Sequence, residues 1–242
     1  MNNKRKAGSL LLAGALLVGL PFTAVAKGKP APMKTVEYVA LGDSLAAGVT
    51  PTGFIDYGYA DYLANHFVAN KYKLADFDNF GVPGYTSVHL KNDILKSSKI
   101  RKEIKEATHV TIDIGANDLL GKLKTDPAHA TDAIAAVSVN LETILSTIDK
   151  LNPKVKVYVM GYYNPFPYYT KEQQDALLPL LKALNSQIES IAKKNRDTYV
   201  STEAQIAKEY KEYIPNPQDI HLSTTGYKVV AAEFWKVICK KK

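Results

Sequence analysis

A chain of 242 residues with 46% hydrophobic content is long enough to bury one sizeable core and short enough to be read as one domain. Its 31 lysines and arginines against 24 acids give a net charge of +7, too mild and too scattered a surplus to point to nucleic acid. Cys239 is the only cysteine, which excludes an intramolecular disulfide.

The first stretch reads as an export leader. Lys4-Arg5-Lys6 is a basic start, Ala7 to Leu20 is uncharged and apolar, and Ala24-Val25-Ala26 is a small-x-small cleavage site. Residues 1–26 are therefore expected to be removed on secretion, with no cysteine nearby for lipid attachment. The remaining chain would carry 28 cations against 24 acids, or +4. No stable membrane insertion of that mature chain is expected. Residues 27–34 form a flexible lead rich in Gly, Lys and Pro, and residues 35–242 form the domain.

Val36 to Leu41 is an apolar run that breaks at Gly42-Asp43-Ser44, a turn composition with glycine for unusual φ and Asp and Ser for local hydrogen bonds. Tyr59, Leu63 and Phe67 recur at helical spacing. Phe77 to Phe80 is a second apolar run, stopped by Gly81-Val82-Pro83-Gly84. Two helices are expected between Ser87 and Ala107, the second with Ile100, Ile104 and Ala107 inward. Val110 to Ile114 is the next strand, closed by Gly115-Ala116-Asn117-Asp118. Asp113 sits inside it, where burial demands a partner that the sequence does not identify. A long helix follows, striped by Ile134, Val137, Leu141, Ile144, Ile148 and Leu151 and ended by Asn152-Pro153.

Val155 to Met160 is another strand. The loop from Gly161 to Thr170 carries Tyr162, Tyr163, Phe166, Tyr168 and Tyr169, candidates, with Tyr57 to Tyr62, for an acyl or sugar pocket or for ordinary surface. Leu177, Leu181, Leu184, Ile188 and Ile191 mark a further helix, in which Pro179 is tolerable only near the first turn. Thr198 to Val200 is a short strand. Pro215-Asn216-Pro217 introduces Asp219-Ile220-His221, and a last helix runs from about Thr224, with Cys239 read as a small hydrophobe in its final turn. Strand alternates with helix five times and no hairpin dipeptide joins the strands. The expected architecture is α/β, a single doubly wound parallel sheet with helices on both faces.

In a parallel sheet the C-terminal strand ends share one edge. Ser44, Gly84 and Asn117 follow three such ends, so a hydroxyl, a bare backbone N–H and a side-chain amide converge. Acyl transfer needs a nucleophile and oxyanion donors of this kind. His221, with an acid two residues before it, is the candidate base. The histidines at 66, 89, 109 and 129 lie on separate elements without ligand-like spacing, and no metal site is expected.

Taken together, Gly42-Asp43-Ser44-Leu45, Asn79-Phe80-Gly81-Val82-Pro83-Gly84-Tyr85-Thr86-Ser87, Gly115-Ala116-Asn117-Asp118 and Asp219-Ile220-His221 resemble the GDSL or SGNH hydrolase family, in its block order and across the whole mature domain. The resemblance implies a flavodoxin-like sheet and hydrolysis of esters or thioesters without a metal or organic cofactor. It implies Ser44 as nucleophile and His221 as general base. The oxyanion hole would be the Ser44 N–H, the Gly84 N–H and the Asn117 amide. The chain departs from the family's last block, whose acid usually stands three residues before the histidine, at Gln218 here, and whose following proline is replaced by Leu222. Either Asp219 or a main-chain carbonyl would then hold the far nitrogen of His221, with Asp219 preferred because a carboxylate better stabilises a charged ring.

The resulting expectation is a secreted serine esterase acting on a small-molecule, lipid or acylated-glycan ester. A deacetylase of cell-envelope or plant polysaccharides is the alternative enzyme. A secreted lipid- or glycan-binding protein on a hydrolase fold is the alternative of another class.

Overall fold

The computed structural model describes residues 33–240. The proposed leader of residues 1–26, the lead as far as Pro32, and Lys241 and Lys242 lie outside the described residues.

Five strands form one parallel sheet: β1 (Thr35–Gly42), β2 (Lys73–Gly81), β3 (His109–Asp113), β4 (Lys156–Gly161) and β5 (Thr198–Ser201). Their order is β2-β1-β3-β4-β5, the flavodoxin-like doubly wound arrangement. Every position of β3 is buried. Successive side chains of a strand point to opposite faces, so this requires cover on both sides of the sheet. The register aligns the strand ends: Gly42 pairs with Gly81 on one side and with Asp113 on the other, and Gly161 pairs with Ser201. The turns that leave these residues therefore emerge along a single edge.

Helices supply the cover. α1 (Ser44–Ala47) is a single turn, and α2 (Tyr59–Ala69) follows it. Next come α3 (Ser87–Lys96), α4 (Ser98–Glu106), α5 (Ala116–Thr125), α6 (Ala130–Leu151) and α7 (Lys171–Lys194). The short α8 (Glu203–Ile206) and α9 (Tyr210–Tyr213) precede α10 (Thr224–Ile238). α2 packs on α10, whereas α6 packs on α3, α5 and α7. β2 is an edge strand in which no position is fully buried, which explains why its polar start at Lys73 carries no apolar signal.

Three expectations are corrected. The single long helix after Gly115 is two, α5 and α6, divided at Asp126-Pro127, where Asp126 adopts φ −158° and a 3-10 turn spans Pro127–His129. Proline lacks the N–H and pushes the residue before it towards extended backbone, and the break falls at Asp126, the residue so displaced. Pro179 lies inside α7, well past its first turn. Both Pro179 and Asp175, whose carbonyl loses its partner, are exposed, so that carbonyl is not left unpaired in the core. Cys239 is exposed rather than a packed hydrophobe, because α10 ends at Ile238 and turns the residue outward.

Candidate active site

Ser44 opens α1 directly beyond β1. Asp43 caps that turn, its Oδ1 accepting the Leu45 N–H at 3.0 Å. The close path under the turn explains the preceding glycine: a Cβ on Gly42 would collide with the Asp113 carboxyl. Asn79, at the end of β2, donates through Nδ2 to the Ala46 carbonyl at 2.7 Å and so ties the neighbouring strand end to the serine turn.

His221 reaches the same point from a segment 177 residues away. Its Nε2 lies 2.8 Å from Ser44 Oγ. On the other side of the ring, Nδ1 lies 2.7 Å from Asp219 Oδ1, which also accepts the His221 backbone N–H at 2.8 Å. An ionised carboxylate only accepts, so Nδ1 carries the proton and Nε2 faces the serine as an acceptor. The two-residue spacing works because Asn216 builds the turn: its Oδ1 accepts the Gln218 N–H at 3.0 Å and its carbonyl accepts the Asp219 N–H at 3.1 Å. Asn216 also donates to the Pro51 carbonyl at 2.9 Å, anchoring the loop. Gln218, the position the usual spacing would select, is exposed.

Gly84 lies in the turn after β2 with φ +80°, in the left-handed region that favours glycine. Asn117, in the first turn of α5, donates one amide hydrogen to the Tyr85 carbonyl at 2.9 Å, beside Gly84. Its second amide hydrogen remains for another acceptor. Among the described residues, neither the Ser44 N–H nor the Gly84 N–H has a hydrogen-bond partner. Asp118 takes no place in this group; both its oxygens hold Ser87, from the N–H at 2.8 Å and the hydroxyl at 2.6 Å, fixing the start of α3.

A pocket opens beside the serine. Ser44 and Asn117 stand at it, and its walls are chiefly apolar, from Leu119, Leu120 and Leu123 of α5, Leu177, Leu181 and Leu184 of α7, and Tyr162, Tyr163 and Phe166 between β4 and α7. The tyrosine loop thus divides. Tyr162 and Tyr163 are buried pocket walls, Tyr162 donating to Asp43 Oδ2 at 3.0 Å and Tyr163 to the Ile220 carbonyl at 2.6 Å, whereas Tyr169 is exposed. Of the tyrosines from 57 to 62, none lines the pocket, and Tyr59 is buried with its hydroxyl on Asp113. Reading the sequence did not single out the leucines of α5 as walls or Tyr163 as the brace behind His221; helical spacing marks the former, but nothing local marks the latter.

Among the described residues, the acids close enough to share a cation are Asp76, Asp78 and Glu103. They belong to β2 and α4, and Lys99 and Lys102 already pair with Asp78 and Glu103. Among the same residues, no helix is long and apolar enough to cross a membrane.

Comparison with known proteins follows the same lines. The sequence profile of the GDSL-like Lipase/Acylhydrolase family matches residues 40–229. The chain is 28% identical over 245 residues to the uncharacterized protein YpmR of Bacillus subtilis (strain 168), covering 96% of this chain and 94% of that protein. Its structure is similar to that of the lipase Lip_vut3 from a goat rumen metagenome, with TM-score 0.72 and 20% identity over 84% of this chain and 97% of that one. It is also similar to the acetylxylan esterase Axe2 of Geobacillus stearothermophilus, with TM-score 0.65 and 18% identity over 86% and 95% of the two chains. At these identities the structural likeness speaks for the fold.

Proposed function

The chain belongs to the GDSL-like lipase/acylhydrolase family and is an esterase/lipase-type hydrolase, and from that membership we propose that it is a secreted serine esterase for carboxylic esters with an apolar acyl chain. The observation that carries the reading is the hydrogen-bonded series Ser44–His221–Asp219 opening onto a pocket walled by leucines.

In this mechanism His221 Nε2 takes the proton from Ser44 Oγ as the oxygen bonds to the ester carbonyl carbon. The carbonyl oxygen becomes an oxyanion, held by the Ser44 and Gly84 N–H groups and the free amide hydrogen of Asn117. Asp219 keeps the ring in the required tautomer and stabilises the imidazolium. When the ester C–O bond breaks, His221 returns the proton to the departing alkoxide. Water then gives a proton to His221 and attacks the acyl-enzyme. The acid leaves as Ser44 recovers its hydrogen.

The acyl group would extend into the apolar pocket, where each buried methylene contributes about 0.8 kcal/mol. An acetyl group leaves most of that wall unused, which favours longer acyl chains over acetylated glycans. Secretion rests on the leader pattern of residues 1–26.

A panel of nitrophenyl esters of graded length, with acetylated xylan and a phospholipid beside it, tests the proposal. The expected result is a kcat/KM that rises from acetate to medium chains, survives exhaustive chelation, and vanishes in Ser44→Ala together with fluorophosphonate labelling. Preference for acetylated xylan would replace it with the deacetylase reading. Unchanged turnover in Ser44→Ala would remove the serine mechanism. Mass analysis of the exported protein is expected to find Lys27 first.

A further inference from the structure

Beneath Ser44 lie two buried carboxyl groups that the acyl-transfer steps leave unused. Asp43 is 2% exposed and Asp113 is fully buried. Asp113 ends β3 and reaches under the adjoining strand end. Its Oδ2 accepts the Asp43 N–H at 3.2 Å and the Ala46 N–H at 3.3 Å, and its Oδ1 accepts the Tyr59 hydroxyl at 2.5 Å. Asp43 holds the Leu45 N–H at 3.0 Å and the Tyr162 hydroxyl at 3.0 Å. Between them the two acids secure the N–H groups of residues 43, 45 and 46. They leave only that of Ser44 itself free to donate.

The charges on this pair do not balance as two carboxylates. The groups facing them are Tyr59 from α2, Tyr38 from β1, Tyr162 and Tyr163 from the loop after β4, Tyr227 from α10, and His221 from the segment before it, with Asp219 acting on Tyr163 and Tyr227. Among the described residues, no lysine or arginine is one of the main groups acting on either acid. Asp113 reaches the backbone of Asp43, and each carboxyl acts on the other; two such neighbouring acids in a buried place share a proton, because both cannot ionise side by side without a cation. Burial raises both, and for Asp113 the charge of Asp43 adds to the effect. For Asp43, the donors Asp113, Leu45 and Tyr162 and the nearby His221 work in the opposite direction.

We propose that Asp113 is a positioning residue for the nucleophile: a neutral carboxylic acid that donates to an ionised Asp43 and holds the Ser44 turn in its reactive geometry. The inference rests on the reading of Ser44 as nucleophile. It accounts for an acid inside a strand that is otherwise apolar except for Thr111 and His109. A neutral partner matters there because a second negative charge under the turn would oppose the oxyanion that forms at the Ser44 N–H. The single charge left on Asp43 favours the imidazolium of His221.

The test compares Asp113→Asn, Asp113→Leu, Asp43→Asn and Ser44→Ala by kcat, KM, fluorophosphonate labelling rate and melting temperature. Asp113→Asn keeps the shape and a donor toward Asp43, and its kcat is expected to stay within about threefold of the parent. Asp113→Leu keeps only the shape. It is expected to lose at least about thirtyfold in kcat and in labelling rate with KM within about twofold, the signature of a misplaced nucleophile. Asp43→Asn removes the charge and is expected to fall at least about tenfold below Asp113→Asn.

Full activity in Asp113→Leu overturns the proposal, and so does equal activity in the two asparagine variants. The second comparison decides the matter if Asp113→Leu does not fold, since a merely structural pair would not distinguish which acid was neutralised. Activity in Ser44→Ala would instead overturn the nucleophile assignment on which the proposal stands. An inactive Ser44→Ala beside an unimpaired Asp113→Leu would reject the positioning role alone.

Discussion

Asp219 meets His221 through one oxygen, which accepts both the backbone N–H and the ring Nδ1. Replacing it with asparagine offers the ring a donor as readily as an acceptor and releases the tautomer. Asp219→Asn is therefore expected to lower kcat by about 10²–10⁴-fold. Gln218→Ala, at an exposed position, is expected to stay within about twofold; kcat for both variants checks the pair, and a Gln218 effect as large as that of Asp219 would move the orienting role. Asn117→Ala removes an amide aimed at the proposed oxyanion and is expected to cost about 10²-fold in kcat with KM little changed. It also breaks the bond to the Tyr85 carbonyl. A melting curve taken beside the kinetics separates that loss from the chemistry. Asp219 was visible in the sequence as the acid nearest His221, and its reach was not, because reach depends on the turn that Asn216 builds.

At the scale of elements, α7 contains a proline in its interior and still runs from Lys171 to Lys194. Its Thr170 cap, which accepts the Gln173 N–H, and its buried stripe of Leu181, Leu184, Ile188 and Ile191 outweigh the missing bond. Pro179→Ala restores that bond on an exposed face and is expected to stabilise the protein by about 1–3 kcal/mol, read from urea unfolding. Destabilisation would mean that the path of α7 through Pro179 is needed to bring Leu177 and Leu181 to the pocket. The break between α5 and α6 teaches the complementary lesson. Asp126-Pro127 is a local stop signal, but the apolar stripe that follows it carries the stronger helical periodicity. Three of the four blocks, by contrast, were legible because each sits where a strand meets a glycine turn, and such turns are chosen locally; the fourth, Asp219-Ile220-His221, was marked by the prolines before it and the helix after it.

For the molecule as a whole, stability carries an internal pH dependence. Asp197, in the connection from α7 to β5, is pushed up to about 7 by burial, with the Asp149 charge adding to it. A carboxyl raised in the folded state is bound to a proton there while the unfolded chain has already released it. Its contribution is complete below the ordinary Asp range, near ~4, and is lost as pH rises through about 7. Asp197→Asn is accordingly expected to raise the melting temperature at pH 8 and to change it little at pH 4. Thermal melts of both proteins across that range check the sign. An equal shift at the two pH values would rule out titration of Asp197 as the cause.

Sequence alone determined the alternation of strands and helices, the glycine turns at three strand ends with the serine, glycine and asparagine that they present, and the histidine placed before the last helix. Each is a local matter, decided by periodicity, by backbone freedom at glycine and by the order of blocks along the chain. Tertiary structure decided which groups meet. Tyr162 finds Asp43 across 119 residues and Tyr59 finds Asp113 across 54. The Ser44 turn finds His221 across 177. Only the parallel register, which brings Gly42, Gly81 and Asp113 to one edge, turns separate turns into a site. The burial it imposes is also what gives two neighbouring aspartates a single proton to share.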